Sequence, residues 1–473
     1  MALSSALFSG ISGLSSLGSA MQVIGDNIAN VNTVGFKGST FTFQDLLSQA
    51  MFTRAGTSQV GRGTALSDIV SNFEQGSFES TGNTTDLAIG GDGFFAVREA
   101  GSDSLFYTRA GNFRFDEDGA LVNPEGYVVQ GWSVDEEGNI TGTTRDIALT
   151  SFTSQPEATS DATIITNLDK DSISNIADLS AIGAGGAWDG TATTPMPATN
   201  YEYQSTVKVY DALGSTHDIT VYYDKVAGSQ WEYVVTCNPS EDLRASFNAT
   251  TSAGMLARGT ITFSESNGTI TDLTMSRLTA PGTWTPLTTA NVNSEGFYEF
   301  QADFIGGTTT STVQDLALDI GTRWNGTAQV PDSLATTQYA SASTTVFQSA
   351  NGYGAGALQG VDVDVDGLIT GSYSNGQVLP LYKLALAKFQ SVTNLKKEGG
   401  NLYSETRQSG QATTSLPGTN GLGSIAPNSL EQSNVDIANE FVKMITTQRG
   451  FQANSKIITV TDDMLAELIN LKR

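Results

Sequence analysis

Asp362, Asp364 and Asp366 alternate with valines and end on Gly367. Carboxylates at every second position before a glycine are how a calcium-binding EF-hand loop opens. Tyr373, however, stands where the twelfth position of such a loop needs a bidentate glutamate. The alternation with Val363 and Val365 fits a hairpin strand with outward aspartates and an Asp-Gly turn better, with no bound metal. DEDG at 116–119 and DEEG at 135–138 repeat the same turn chemistry. His217 beside Asp218 is the other pair that could act, as a base oriented by a carboxylate. It follows a Leu-Gly turn between two strand-like runs, so the expectation is a turn histidine without catalytic work. It is the only histidine, and Cys237 the only cysteine, so no internal disulfide and no His- or Cys-rich metal site can form. The chain has no Gly-Lys pair, which removes a Walker phosphate loop, and GYGAGALQG (352–360) lacks the dinucleotide-binding spacing. No catalytic residue, metal or cofactor is expected.

The bulk composition points the same way. Of 473 residues, 49 are acidic and 24 basic, giving a net charge of −25, and a polyanion or an anionic membrane surface would repel such a chain. Nucleic acid is excluded as a partner. Charged residues are only 15% of the total, while 50 glycines join abundant Ser, Thr and Asn, a texture of β-rich extracellular or structural proteins. The opening MALSSALFSGISGLSSLGSAMQ has no basic region before an apolar block and cleavage site, so no cleavable signal is expected. No window is read as reaching the roughly 20 apolar residues of a membrane span, so no membrane insertion is expected either.

Helical periodicity is confined to the two ends. Leu7, Gly10, Leu14, Leu17, Met21, Ile24 and Ile28 recur at alternating spacings of four and three, a heptad seam on a helix whose other faces are mostly Ser, Gly and Ala. Leu430, Ile437, Met444, Phe451, Ile458 and Leu465 recur every seven residues at the far end. That predicts a second helix over about 434–472, with Ser433 or Asn434 before Asp436 as its cap. Asn454 falls off this seam. A lone amphipathic helix is marginal in water, and each end is joined to the remainder through a polar, glycine-bearing segment. The expectation is therefore that the seams stay open in the monomer and close on assembly with other copies.

Between the ends, strand and turn signals take over. One group runs through DLAIGGDGFFAV (86–97), FYTRAGNFRFDEDGALV (106–122) and GYVVQGW (126–132); a similar group returns in VDVDVDGLITGSYSNG (361–376) and LYKLALAKFQ (381–390). The simplest topology builds one inner β domain from both groups. The expected organisation is terminal helices in 1–30 and 430–473, a joint or linker in 31–70, an inner β domain in 71–147 and 353–429, and an outer β insert of one or two domains in 148–352. The fold class is multidomain and mainly β, with long terminal helices packing in coiled-coil fashion on assembly.

The segment between the first helix and the first strands reads ANVNTVGFKG (29–38). It resembles the N-terminal signature of the bacterial flagellar rod and hook axial proteins, in which Ala29, Asn30, Thr33, Gly35, Phe36 and Lys37 match the pattern. DLAIGGDGFFAV and YTRAGNFRFDEDGALVNPEGYVVQGW resemble that family's core motifs. SNVDIANEFVKMITTQRGFQANSKIITVTDDML resembles its C-terminal helix signature through Ser433, Asn434, Val435, Asp436, Gln448, Arg449, Gln452 and Asn454. Gly450 and Phe451 depart from the commoner Ala and Tyr. VYDALGSTHDITVYY is similar to a motif of the outer domain in the hook members, and the large insert points to hook rather than rod.

The resemblance implies a non-enzymatic subunit that polymerises helically into a flexible curved tube. That tube would enclose the export channel and carry torque from rod to filament. Leu7, Leu14, Met21, Ile28, Ile437, Met444, Phe451, Ile458 and Leu465 would form the assembly seam, and 29–38 a joint whose flexibility supplies shear. It further implies an extracellular place in the flagellum and export by the flagellar type III apparatus. The implied partners are other copies and the rod, hook-cap and hook-filament junction proteins. The competing expectations are a distal rod protein, or a secreted β-rich adhesin or surface-layer protein. A glycosidase would need two marked carboxylates, and nothing marks a pair.

Overall fold

The computed structural model describes residues 2–53, 56–135, 137–183, 185–288, 291–306 and 313–470; within them the chain is strand-rich with one long helix at each end. α1 spans Ala2–Ala29 and α2 spans Ile437–Asn470. The chain divides into two compact units: Met1–Phe152 with Leu358–Tyr373 and Gln377–Arg473, and Thr153–Ala357 with Ser374–Gly376.

In the first unit, strands distant in sequence share one sheet. Leu368–Tyr373 pairs with Val378–Leu384, that strand with Tyr127–Val134, and that in turn with Phe94–Glu99, all antiparallel. Leu386 and Ala387 pair back onto Phe95 and Phe94. Alternating residues of these strands drop onto one face, where Leu87, Phe95, Val97, Val129, Ile369, Leu384 and Leu386 are fully buried together. Residues 39–71, expected to be a linker, instead hold antiparallel ribbons: Ser39–Asp45 with Thr64–Ser71, and Gln49–Thr53 with Gly56–Val60. Ser39–Asp45 is largely exposed beyond Ser39 and Thr64–Ser71 is exposed to half-buried, so these two strands lack the apolar alternation by which a buried strand announces itself. What fixes the ribbon is α1: Ser16 Oγ donates to Thr64 O at 3.1 Å, and Thr64 N to Ser12 Oγ at 3.2 Å.

The second unit is built on a six-stranded antiparallel meander from Tyr203–Tyr210 to Thr283–Pro286. A five-stranded sheet centred on Asp161–Asp169 faces it. Val207, Ile219, Tyr223, Trp231 and Tyr233 of the first meet Ile164, Leu168, Phe300 and Leu316 of the second in one buried core. His217 lies in the strand Thr216–Ala227, paired with Val209, and not in a turn as expected. The turn closes two residues earlier, at Ser215. Its ring stacks on Phe304 at 4.1 Å, with Nδ1 2.7 Å from Glu241 Oε2 and Nε2 3.4 Å from Asp211 Oδ2. Burial works against the Asp211 carboxylate, but the amides of Ser215 and Leu213 and the imidazole more than offset it, and its pKa lies below the ordinary value. Cys237 is buried, and burial pushes its thiol well above the ordinary range, which removes it as a nucleophile.

The aspartate triplet is a hairpin between Gly356–Val363 and Leu368–Tyr373. Asp364 Oδ1 accepts the amides of Asp366 and Leu368 at 2.9 and 2.8 Å, its carbonyl accepts that of Gly367 at 3.1 Å, and Gly367 has φ 74°. One carboxylate thus closes the turn while glycine supplies the left-handed residue. The same device closes Asp116 to Ala120, Asn123 to Tyr127, Asp211 to Ser215 and Asn293 to Phe297. Replacing Asp364 with Ala should therefore cost about 1 kcal/mol, as loss of a helix cap does, while Asp366→Ala should stay within about 0.5 kcal/mol. Urea unfolding of both variants, with and without added calcium, checks this. Equal effects, or a calcium-dependent rise in wild-type stability, would contradict the turn assignment.

Candidate assembly site

The helix break in 29–38 begins with local hydrogen bonding. Asn30 Nδ2 donates to Asp26 O at 2.9 Å, Thr33 Oγ1 donates to Asn30 Oδ1 at 3.2 Å, and Thr33 N to Asn30 O at 3.1 Å. These contacts satisfy carbonyls that a helix end leaves open. Ala29 is the last helical residue and is exposed. Gly35 then takes φ 69°, and a Cβ there would lie 2.5 Å from Ala110 N, so only glycine fits. Its amide donates to Glu431 O at 2.7 Å.

From here residues 35–39 are buried throughout, and the far end of the chain answers them one by one. Phe36 lies under Lys397, whose Nζ is 5.4 Å from the ring centroid. Lys37, with no exposed surface, donates from Nζ to Glu431 Oε1 at 2.7 Å and to Glu74 O at 2.8 Å; Gly76 N donates to the same Oε1 at 2.9 Å. Arg109 Nη1 is 3.5 Å from the other oxygen, Glu431 Oε2. Gly38 N donates to Asn434 Oδ1 at 2.9 Å, and Asn434 Nδ2 to Asn72 O and Glu74 O at 2.8 and 3.0 Å. Asn27 exchanges two hydrogen bonds of 2.8 Å with the backbone of Ser39 and donates to Glu440 Oε2 at 3.3 Å.

The result is a buried latch that ties the end of α1, the first strand and the approach to α2 together. Burial lowers the pKa of Lys37, with Glu431 opposing by charge and hydrogen bond, and burial likewise lowers that of Arg109. Two cations and one carboxylate share a site closed to water. The segment expected to be a flexible joint is thus clamped at its far end: Gly35, Lys37 and Gly38 are held by hydrogen bonds at buried positions and cannot supply free rotation there.

The two helices pack on each other inside one chain. A Cβ at Gly10 would lie 3.2 Å from Ile458 Cγ1, one at Gly13 3.0 Å from Asn454, and one at Gly450 3.3 Å from Leu17 Cδ1. With Asn27 bonded to Glu440, these pairings climb one helix as they descend the other, so the pair is antiparallel. Seams expected to stay open in the monomer are thus partly closed by each other, because small residues let the backbones approach. The face of α1 that buries is Gly10, Gly13, Ser16, Ala20, Val23, Ile24 and Asn27, while Leu7, Leu14, Met21 and Ile28 flank it half-buried. Residues 6–29 reach a mean hydropathy of 1.2, enough by length and composition to cross a membrane. This differs from the expectation that no window would. A helix packed on protein passes the same test when its faces are Gly, Ala and Leu with a single charge.

On α2 the row facing α1 is Glu440, Thr447, Asn454 and Thr461, with Ile458 and Leu465 beside it. Asn454 is therefore on the packed face, not off it. The apolar series starting at Ile437 lies three residues from that row, roughly 60° around the cylinder at 3.6 residues per turn. Ile437 and Phe451 are 44% and 42% exposed, Met444 half-buried, and only Ile458 and Leu465 come in toward α1. Leu430 is not helical at all but lies in the strand Ser429–Glu431. The cap of α2 is Asp436, whose Oδ1 accepts the amides of Ala438 and Asn439 at 2.8 and 3.2 Å. Ser433 Oγ accepts the amide of Val435 at 3.3 Å, and Val435 packs on Gly38. Gln448, Arg449 and Gln452 are exposed.

Sequence reasoning missed Glu431, Arg109, Asn27 and Glu440. A glutamate just before the SNVD signature, facing a lysine in GFKG, was the available signal.

Comparison with known proteins finds four family models along the chain. Residues 7–37 match the family described as Flagella basal body rod protein, and 88–170 that described as Flagellar hook protein FlgE/F/G D1 domain. Residues 179–353 match Flagellar basal body protein FlaE D2 domain, and 426–471 match Flagellar basal body rod FlgEFG protein C-terminal. The chain is 35% identical to Flagellar hook protein FlgE of Borreliella burgdorferi, over 98% of this chain and 99% of that one. It is 33% identical to that of Treponema pallidum, over 99% of each, and 30% to that of Escherichia coli, over 98% of each.

Breaking the latch from one side should be costly. Glu431→Gln leaves two buried cations without their anion and is expected to lose about 3 to 5 kcal/mol. Lys37→Met combined with Glu431→Leu removes one cation with the anion, leaves only Arg109 without a partner charge, and should lose less than Glu431→Gln alone. Denaturant unfolding of the monomer measures this, and a single variant within about 0.5 kcal/mol of wild type would contradict a structural latch.

Proposed function

The chain belongs to the flagellar hook protein family, and from that premise we propose that it is a structural subunit that polymerises helically into a flexible curved tube. The tube encloses an export channel and carries torque from rod to filament. One observation supports this above others. After α1 and α2 have packed on each other, their outer faces still present Phe8, Ile11, Phe441, Val442, Ile445 and Val460, each between 42% and 69% exposed. Exposed apolar side chains at both ends of the helix pair, on a chain this acidic, ask for apolar partners, and other copies carry the same faces. Leu7, Leu14, Met21 and Ile28, half-buried beside the α1–α2 contact, and the exposed Ile437 and Phe451 are read as its continuation. Terminal helices of many copies would then line the channel, the inner β domain would form the next shell, and the outer insert would lie outside.

The latch gives the mechanism its stiffness. Because Lys37, Glu431 and Asn434 fix the helix pair to the sheet, each subunit moves there as one piece, and the shear of a turning, bent tube is taken up at contacts between copies. Export through the flagellar type III apparatus to the extracellular hook, and contacts with rod, hook-cap and hook-filament junction proteins, belong to the same reading. No catalytic step is assigned.

Electron microscopy of the assembled protein tests it: curved tubes of uniform width are expected, and sheets or isolated trimers would favour an adhesin or surface-layer role. Phe441→Asp and Phe451→Asp change exposed positions, so monomer stability should move by no more than about 0.5 kcal/mol while tubes are lost. Normal tubes from both variants would contradict assembly through these faces.

A further inference from the structure

Arg109 is 3% exposed, yet its Nε has no hydrogen-bond acceptor, and its Nη1 meets Glu431 Oε2 only as an ion pair at 3.5 Å. Leaving buried donors unmade is unfavourable, so a group able to complete them would be held. The guanidinium lies 5.2 Å from the Phe94 ring centroid and lines a cavity of about 290 Å³. Phe73, Phe389 and Val392 form apolar walls, and Lys388 and the exposed Asp92 complete the lining. Lys388 is kept in place by the carbonyls of Asn420 and Gly421, 3.2 and 3.3 Å from Nζ. A guanidinium with its Nε–H unmade, a second cation and aromatic walls is the chemistry that takes a carboxylate on an apolar stem.

We propose that this pocket receives an acidic side chain presented by a second copy of this chain. The occupant follows from charge. With 49 acidic against 24 basic residues, the charges that a second copy brings are mainly carboxylates, and a lining of two cations against the single carboxylate of Asp92 is their complement. Such a contact would let strongly acidic subunits approach each other. The proposal rests on the self-assembly reading above.

The test uses the full chain and measures the critical concentration for polymerisation by sedimentation, with benzoate as the probe for the pocket. Millimolar benzoate should raise that concentration in wild type. Lys388→Glu should raise it by about tenfold or more without changing the monomer melting temperature, whereas Lys396→Glu, the same charge change at an exposed lysine outside the pocket, should shift it by less than about twofold. If Lys388→Glu lowers the melting temperature, Val392→Trp fills the cavity without charge and carries the same expectation. Benzoate and both pocket variants without effect, or Lys396→Glu as damaging as Lys388→Glu, would overturn the receptor and leave Glu431 as the only acceptor for Arg109. Failure of wild type to polymerise at all would instead overturn the self-assembly reading, and the pocket's role with it.

Discussion

A lysine ammonium with no exposed surface must be met by an anion or it will not be buried, and the anion here comes from 394 residues away in the chain. That single requirement brings the two ends together. Once Lys37 and Glu431 are paired, Gly35 and Gly38 donate their amides to Glu431 O and Asn434 Oδ1, Asn434 holds the carbonyls of Asn72 and Glu74, and Asp436 is placed to cap α2. The antiparallel course of the helices follows, since α2 starts beside the point where α1 stops. A buried pair adds little net stability over an apolar replacement; its effect is to allow one register between the ends and disfavour others.

The helix pair divides labour between its faces. Inside, glycines and short polar side chains allow close approach, with Asn27 bonded to Glu440 and Asn454 seated on Gly13. Outside, the larger apolar residues stay in solvent. A helix pair built only for its own stability would put Phe441, Val442 and Ile445 against α1 and its small residues outward. The inversion supports the proposed assembly, in which a modest intrachain contact would leave a larger apolar surface for other copies.

Much of this could be read from the residues. The turn chemistry of Asp364, Asp116 and Asp135 is local, because a carboxylate and a glycine three residues apart determine the hydrogen bonds, and there the reading agrees with the structure. The existence of both helices and the strand groups on either side of the insert were equally open to inspection, since periodicity and alternation are short-range signals. Long-range partners were not: nothing in GFKG says which acid answers Lys37, and Glu431 sits beside a leucine that appeared to continue the seven-residue series. The row on α2 that faces α1 has the same seven-residue spacing but is polar, Glu440, Thr447, Asn454 and Thr461, so apolar periodicity points three residues away from it. The ribbon in 39–71, within the linker expected over 31–70, carries no strand signal in the sequence because it rests on α1, and not on a core that would stamp a pattern on it. His217 sits in a strand because the turn before it is completed by Asp211 and Ser215.

The central claim is that the latch forms within one chain, before any assembly. Amide hydrogen exchange on verified monomer reads it directly, through the amides of Gly35, Gly38, Ser39 and Gly76, each donated to a latch acceptor. The account predicts protection at these four comparable to that of Val97 and Val129 in the sheet core. Exchange at the rate of an unstructured chain, with the sheet still protected, would show that the ends are joined only in the polymer and would contradict it.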